Sequence, residues 1–143
     1  MDEEVLTKKI IGCAMKVHST LGPGFLESVY QRALACELER EGMKIELEKP
    51  IRVHYEGVVV GEFSADMLVE DKVLLELKAI QTLVTANEVQ LVNYLTATNI
   101  EIGLLLNFGN ERLQFKRKSR TYRPKTSHRE VILKNPVILS NLK

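Results

Sequence analysis

The apolar run over residues 73–80, with the letters VLLELKAI, constrains the fold of this 143-residue chain more than any other feature. Such a run is typical of a central β-strand that is covered on both faces. Two charged residues, Glu76 and Lys78, interrupt it, and charged side chains are costly at such positions unless they have partners. The run therefore predicts a buried strand that carries a polar site.

The residues before this run predict its neighbour in the sheet. A strand over residues 65–69 and a hairpin centred on Asp71 place Asp66 directly opposite Glu76. Side chains alternate along a strand, so Glu76 and Lys78 share one face. The Cβ atoms of opposed residues lie roughly 5 Å apart, close enough for two carboxylates to share a metal ion. Without a cation between them, one of two such acids normally takes up a proton.

These three residues together suit Mg²⁺-assisted hydrolysis of a phosphodiester. Asp66 and Glu76 provide carboxylate oxygens for the metal, and Lys78 can hold a water or a phosphate oxygen. The alternative is an exposed strand face, because acids and lysines at this spacing also occur by chance in many proteins. The apolar surroundings of Glu76 favour the functional interpretation.

Length and composition indicate one globular domain. A chain of 143 residues with 45% hydrophobic and 27% charged residues can bury a single core. No apolar run approaches the roughly 20 residues of a membrane span, and the N-terminus is acidic, so we expect a cytoplasmic protein with no membrane contact. Cys13 and Cys36 have no metal-binding spacing and are expected to be reduced core residues.

The order of elements predicts the fold class. Helices are expected at residues 3–20, 26–41 and 86–98, and strands at 45–54, 58–63, 65–69, 73–80, 102–108 and 113–117. This order, α-α-β-β-β-β-α-β-β, predicts a mixed β-sheet flanked by helices, in the α/β or α+β class.

Charge divides the chain into two parts. Residues 1–110 carry 10 Lys/Arg against 17 Asp/Glu, whereas residues 111–143 carry 10 against 2. The basic cluster at 115–125 either binds phosphate backbones or is a solvated segment that neutralises the acidic body. The apolar letters VILKNPVIL at 131–139 predict an edge strand, or a contact with a partner protein or a second copy of the chain.

Three strings resemble a known family. Residues 24–30, GFLESVY, resemble the signature of the GxxExxY protein family, which is grouped with the PD-(D/E)XK nuclease superfamily. Asp66, Glu76 and Lys78 match the D…ExK motif of that superfamily, although Ala65 stands where a proline often precedes the aspartate. Residues 90–94, QLVNY, resemble the QxxxY motif of the branch that contains lambda exonuclease and RecB-like nucleases.

The resemblance covers about residues 6–118. It implies a PD-(D/E)XK nuclease-like domain over residues 1–118, followed by a basic C-terminal extension over residues 119–143.

The resemblance also implies roles for single residues. Asp66, Glu76 and the carbonyl of Leu77 would bind one or two Mg²⁺ or Mn²⁺ ions, with Glu27 as an outer ligand. Lys78 would orient the attacking water or stabilise the oxyanion.

Four further residues are candidates for substrate binding. Gln90 would hold the acids or the lysine in place, and Tyr94 would approach a phosphate. His18 would donate to a phosphate or to Glu27, with a helix cap as the alternative. Tyr30 shares a helix face with Glu27, and the alternative for it is a core residue.

Three functions fit these observations. The first is a metal-dependent nuclease that acts on DNA or RNA. The second is a nuclease-fold protein that binds nucleic acid through its basic extension without cutting it, and the third is a protein-interaction module. The intact D…ExK set favours the first, because a site without a catalytic function has no reason to keep closely spaced acids.

Overall fold

The computed structural model describes residues 1–120, which form three helices and five strands. The helices are α1 (Glu3–Leu21), α2 (Glu27–Arg40) and α3 (Thr85–Thr98). The strands are β1 (Ile45–Tyr55), β2 (Val58–Val69), β3 (Val73–Lys78), β4 (Ile102–Asn107) and β5 (Gln114–Ser119). The predicted class, a mixed sheet flanked by helices, is confirmed.

The five strands form one sheet in the order β1-β2-β3-β4-β5. All neighbours are antiparallel except β3 and β4, which are parallel and are connected through α3. A parallel pair needs such a crossover, because its two strands run in the same direction. The predicted central strand is confirmed, since residues 73–77 of β3 are all buried.

The prediction of separate strands at 58–63 and 65–69 is wrong. Residues Val58–Val69 form one strand, which pairs with β1 from Val58 to Val69 except at Val60 and Asp66. Ser64 stays in the ladder opposite Pro50, and its hydroxyl donates to Glu48 at 2.9 Å. Pairing with a long neighbour thus outweighs the weak strand preference of a polar residue.

The two faces of the sheet are covered by different helices. Leu75 and Leu77 of β3 pack in the core formed with α1 and α2. Leu74 packs in a second core, which contains Leu91 and Leu95 of α3. Because side chains alternate along a strand, Glu76 and Lys78 lie on the same face as Leu74, under α3.

A buried amide network fixes the segment between β3 and α3. Asn107 is fully buried, and its Oδ1 accepts from the backbone N–H of Ile80 at 3.0 Å and of Gly109 at 3.1 Å. Its Nδ2 donates to Gln114 at 2.9 Å, and the same Gln114 oxygen accepts from the N–H of Leu83 at 3.1 Å. The start of α3 is therefore anchored to β4 and β5.

The two cysteines are free and differ in exposure. Cys13 is buried, as predicted, whereas Cys36 is exposed and is not a core residue. Leu34 and Leu38, four residues apart, occupy the buried face of α2. Cys36 lies midway between them and so points away from that face.

The predicted extension over residues 119–143 begins within β5, whose last residue is Ser119. Residues 121–143 lie outside the described residues, and so does the second part of the basic cluster, residues 121–125, whereas residues 115–120 lie in and just after β5. The apolar segment 131–139 falls there as well, so its contact with a partner or a second copy stays a prediction. Within residues 1–120, no helix is both long and apolar enough to cross a membrane.

Candidate active site

The ladder between β2 and β3 ends where the two predicted acids lie. The hairpin has its predicted centre at Asp71, but its last backbone pair is Met67 with Leu75. Beyond that pair, the backbone N–H of Asp66 donates to Oε1 of Glu76 at 3.2 Å. The N–H of Leu77 donates to Oδ2 of Asp66 at 2.7 Å. Carboxylates thus replace backbone carbonyls as acceptors, and the two acids are held together.

An irregularity in β1 and β2 accompanies this arrangement. Residues two apart on a regular strand share a face, yet Ala65 packs in the α3 core and Met67 in the α1–α2 core. The register of β1 with β2 omits Glu48 and Asp66, and Glu48 has a left-handed φ of 52°. Non-glycine residues with such φ values are strained and are concentrated at functional sites.

Gln31 of α2 stabilises the irregular segment. Its Nε2 donates to the carbonyl oxygen of Asp66 and to Oε1 of Glu48, each at 2.8 Å. Ser64 donates to the other oxygen of Glu48 at 2.9 Å. Neither Gln31 nor Glu48 was predicted from the sequence to belong to the site. The available signal was the position of Gln31 one turn after Glu27, on the same face of α2.

Burial and mutual repulsion change the acidity of the pair. Glu76 is only 5% exposed, and its desolvation, together with the charge of Asp66, raises its pKa to about 8. Burial also raises the pKa of Asp66, although the hydrogen bond from Leu77 opposes this. The charge of Glu27 raises both pKa values and that of Lys78 lowers both. All four predicted charged residues therefore interact electrostatically.

The oxygen atoms at this position suit a hard divalent cation. The remaining carboxylate oxygens, Oδ1 of Asp66 and Oε2 of Glu76, accept no hydrogen bond from residues 1–120. The carbonyl of Leu77 faces the same gap as its N–H group, because both point to one side of an extended strand. Such oxygen ligands are the ones that Mg²⁺ and Mn²⁺ prefer.

The protein ligands do not enclose a cation by themselves. Within the described part of the chain, no three His, Cys, Asp or Glu side chains converge into a metal-binding group. Glu27 is exposed in the first turn of α2 and acts on the two acids through its charge. Water and substrate oxygens would complete the coordination, which is usual for Mg²⁺.

Helix α3 brings Tyr94 close to the two acids, and Gln90, one turn earlier, lies beside Tyr94. Tyr94 is 9% exposed, and burial and the charges of Glu76 and Asp66 raise its pKa. Its hydroxyl accepts a hydrogen bond from Nε2 of Gln90 at 3.3 Å. We predicted that Gln90 holds the acids or Lys78. The structure instead shows its amide bonded to Tyr94.

Tyr30 lies in the core, away from the cleft. It is fully buried, its hydroxyl donates to the carbonyl of Gly22 at 2.6 Å, and it accepts from the N–H of Phe25 at 3.1 Å. Its ring stacks on Phe108 with 4.7 Å between the centroids. The core alternative therefore describes Tyr30. Its hydroxyl fixes the loop before α2, and so the position of Glu27 in the first turn.

His18 also lies in the interior, where it links two elements. It is 8% exposed, and its Nε2 lies 2.8 Å from the carbonyl oxygen of Asn110. Its ring is 6.3 Å from that of Phe108. The side chain thus connects the last turn of α1 to the β4–β5 turn, and the structure shows no contact with Glu27.

Known proteins resemble this chain in sequence and in fold. A family model described as PD-(D/E)XK nuclease superfamily matches residues 4–118. Among solved structures, the crystal structure of SSO0001 aligns with a TM-score of 0.53 and 18% identity, over 67% of this chain and 50% of that chain. The chain thus spans about half the length of that structure, and a likeness at this identity concerns the fold alone. No curated protein matches the sequence.

Proposed function

This chain belongs to the PD-(D/E)XK nuclease superfamily, and we propose that it is a metal-dependent nuclease that hydrolyses phosphodiester bonds in DNA or RNA. One observation carries the proposal: two largely buried acids lie where the β2–β3 ladder ends, each accepting a backbone N–H across the two strands, with a lysine nearby on the same strand face. Burying two like charges is unfavourable without a cation, so the arrangement suits metal binding.

The proposed mechanism assigns one task to each residue. Asp66, Glu76 and the carbonyl of Leu77 would hold Mg²⁺ or Mn²⁺, with Glu27 as an outer ligand. Such an ion would supply a water of lowered pKa and would offset charge on the phosphate. Lys78 orients the attacking water and stabilises the charge that develops on the phosphate oxygens.

Residues of α3 complete the substrate side of the site. Tyr94 lies close enough to both acids for their charges to raise its pKa. Its hydroxyl can donate to a phosphate oxygen while it accepts from Gln90. The amide of Gln90 therefore sets the direction of the hydroxyl proton, and Gln90 acts on the substrate through Tyr94.

A specific observation favours a second candidate, a nuclease-fold module that binds nucleic acid without cutting it. One oxygen of Asp66 and one of Glu76 already accept backbone N–H groups, so the pair has a structural use. No three metal-binding side chains converge within residues 1–120. In this alternative Glu76 keeps its proton, and no cation is needed at neutral pH.

The assignment to the GxxExxY family within the superfamily is part of the proposal. It is supported by the string at residues 24–30 and by the hydrogen bonds of Tyr30 to Gly22 and Phe25, which give the tyrosine of that string a structural use. A nucleic acid partner is proposed on the same basis.

Purified protein with Mn²⁺ or Mg²⁺ is the direct test. We expect cleavage of DNA or RNA that Asp66→Asn abolishes, while Asp71→Asn, in the exposed hairpin turn, retains it. Lys78→Ala should lower kcat by about 100-fold or more, the effect of removing one oxyanion donor. Lys8→Ala, on the exposed side of α1, is the matched control.

Metal binding can be measured separately from cleavage. Mn²⁺ should raise the melting temperature of the wild type, because a ligand of the folded state stabilises it. Glu76→Gln should remove this increase. Equal cleavage by wild type and Asp66→Asn, or none on any substrate with a melting temperature insensitive to Mn²⁺, would favour the binding module.

A further inference from the structure

A groove of about 760 Å³ lies between α3 and the β1–β2 hairpin. Tyr94 and Gln90 line it from α3, and Phe63, Arg52 and His54 line it from the hairpin. Tyr94 also lies near Asp66 and Glu76, since burial and the charges of these acids raise its pKa, so Tyr94 borders both the groove and the candidate active site. Its volume falls in the range of sites that enclose a drug-sized ligand.

An exposed aromatic side chain forms part of the groove wall. Phe63 is 49% exposed, although it lies on a strand that is buried farther along. Its ring centroid lies 5.6 Å from that of Tyr94, with 37° between the planes. The Phe63 ring thus offers a second aromatic surface beside the site. Aromatic surfaces in such grooves stack on nucleic acid bases.

The polar groups of the groove suit a phosphate backbone. Gln90 and Asn93 of α3 line the groove with amide groups, which can donate to phosphate oxygens. Among the described residues that line the groove there is no Asp or Glu, so no carboxylate repels a phosphate there. The side chain of Arg52 lies on the opposite face of the hairpin, because Arg52 pairs with Glu62 whereas Phe63 pairs with Ile51.

We propose that this groove binds an extended single strand of nucleic acid and leads it to Asp66 and Glu76, with one base stacked on Phe63. The inference rests on the proposed nuclease function and specifies its substrate class. Bases of a duplex are paired and stacked on one another, so they cannot lie on Phe63. An unpaired base, held between α3 and the hairpin, can.

The first test is binding, measured by fluorescence anisotropy in EDTA, which removes divalent cations. The probes are a 12-nucleotide single-stranded DNA, the RNA of the same sequence, and a blunt DNA duplex. We expect at least one single strand to bind tenfold more tightly than the duplex, and the DNA and RNA arms show which sugar is preferred. Tighter binding of the duplex would overturn the proposal.

Variants of Phe63 test the stacking contact. Phe63→Leu should weaken single-strand binding by about 5- to 150-fold, from the ~1–3 kcal/mol that stacking of one base contributes. Phe63→Tyr keeps an aromatic ring and should retain the affinity, and Val58→Ala, exposed on the same hairpin outside the groove, should not change it. Wild-type affinity in Phe63→Leu, or an equal loss in Phe63→Tyr, would contradict the role of the ring. Melting temperatures verify that each variant is folded.

The outcomes separate this inference from the proposed function. Phe63-dependent single-strand binding without metal-dependent cleavage would support the groove and reject the nuclease. Cleavage that depends on Asp66, with equal use of duplex and no effect of Phe63→Leu, would support the nuclease and reject the groove.

Discussion

A buried carboxyl such as that of Glu76 keeps its proton to a higher pH than an exposed one, because the charged form loses its hydration. Its pKa of about 8, against an ordinary value of 4.5, links the stability of the fold to pH. The stabilising contribution is fully present below pH 4.5, where both states are protonated. It is lost as the pH rises through about 8, because only the unfolded chain releases the proton easily.

We therefore expect the free energy of unfolding of the metal-free protein to fall between pH 5 and pH 8. In the Glu76→Gln variant it should fall much less over the same range. Urea denaturation in EDTA at several pH values measures the free energy of unfolding for both proteins. Glu39→Gln, an exposed acid on α2, is the control and should follow the wild type. Parallel pH dependence in wild type and Glu76→Gln would show that Glu76 titrates normally.

Gln31 is expected to act on the site through Asp66. Gln31→Leu removes both hydrogen bonds, to Asp66 and to Glu48, and leaves the left-handed Glu48 with the hydrogen bond from Ser64. Mn²⁺ affinity, measured by calorimetry, should fall by about 10- to 100-fold, as when partners that orient metal ligands are removed. Gln81→Leu, an exposed glutamine after β3, is the matched control. If Gln31→Leu lowers the melting temperature but leaves Mn²⁺ affinity intact, Gln31 only supports the fold.

Some site residues can be predicted from the sequence and others cannot, for a physical reason. Asp66, Glu76 and Lys78 could be located because strand alternation and hairpin register are local properties of the chain. Gln31 contacts Asp66 across 35 residues of sequence, and this contact depends on how α2 packs against the sheet. The left-handed φ of Glu48 has no signal in the letters around it, since glutamate rarely takes that conformation.

At the scale of elements, the β4–β5 turn packs closely on the segment that follows β3. A Cβ atom on Gly109 would collide with the backbone O and N atoms of Ile80, which cannot move aside like the end of a side chain. Gly109→Ala should therefore lower the free energy of unfolding by ~1–3 kcal/mol or more, the usual cost of overpacking. Because Ile80 precedes α3, the change should also disturb the position of Tyr94.

Gly12 provides the matched control for this substitution. It lies within α1, and a Cβ atom there would meet nothing within 4 Å. Gly12→Ala should raise the free energy of unfolding by ~0.5–1 kcal/mol, the difference between these residues inside a helix. Urea denaturation measures both variants, and similar effects of the two substitutions would contradict the packing described for Gly109.

The elements that the sequence predicted best are those with strong periodicity. The three helices lie within a few residues of their predicted positions, and the β2–β3 hairpin has its predicted centre at Asp71. The division of β2 was wrong because strand continuity depends on pairing with β1, which local composition does not encode. The anchoring of α3 by Asn107 was also missed, since it joins side chains from separate elements.

At the scale of the whole molecule, charge is distributed unevenly along the chain. Residues 1–110 hold 17 acids against 10 Lys/Arg, and residues 111–143 hold 10 Lys/Arg against 2 acids. A nucleic acid is repelled by the excess of acids in residues 1–110, and the basic residues in 111–143 can offset this repulsion. The candidate groove and the basic cluster would then share the binding of one nucleic acid, the cluster without base preference.

The structure shows where the basic extension can be removed. Arg120 pairs with Glu101 at 3.2 Å and its N–H donates to the carbonyl of that residue, so a truncated chain should keep Arg120. Deletion of residues 121–143 removes five cations and one acid: Arg123, Lys125, Arg129, Lys134, Lys143 and Glu130. If these cations contact phosphates, the salt dependence of binding should flatten, by about 0.7 per lost contact with a single strand.

Two partial variants separate charge from apolar contact in this extension. Arg123→Gln, Lys125→Gln and Arg129→Gln in one full-length chain should reproduce most of the flattening, measured by anisotropy from 50 to 300 mM salt. Deletion of residues 131–143 removes the apolar segment but only two cations. Most of the slope of log K against log salt should therefore remain. If the second variant loses affinity with its slope unchanged, the segment acts through apolar contacts with protein. If neither the triple substitution nor the full deletion changes the slope, the extension does not bind phosphates, and the groove alone must hold the strand.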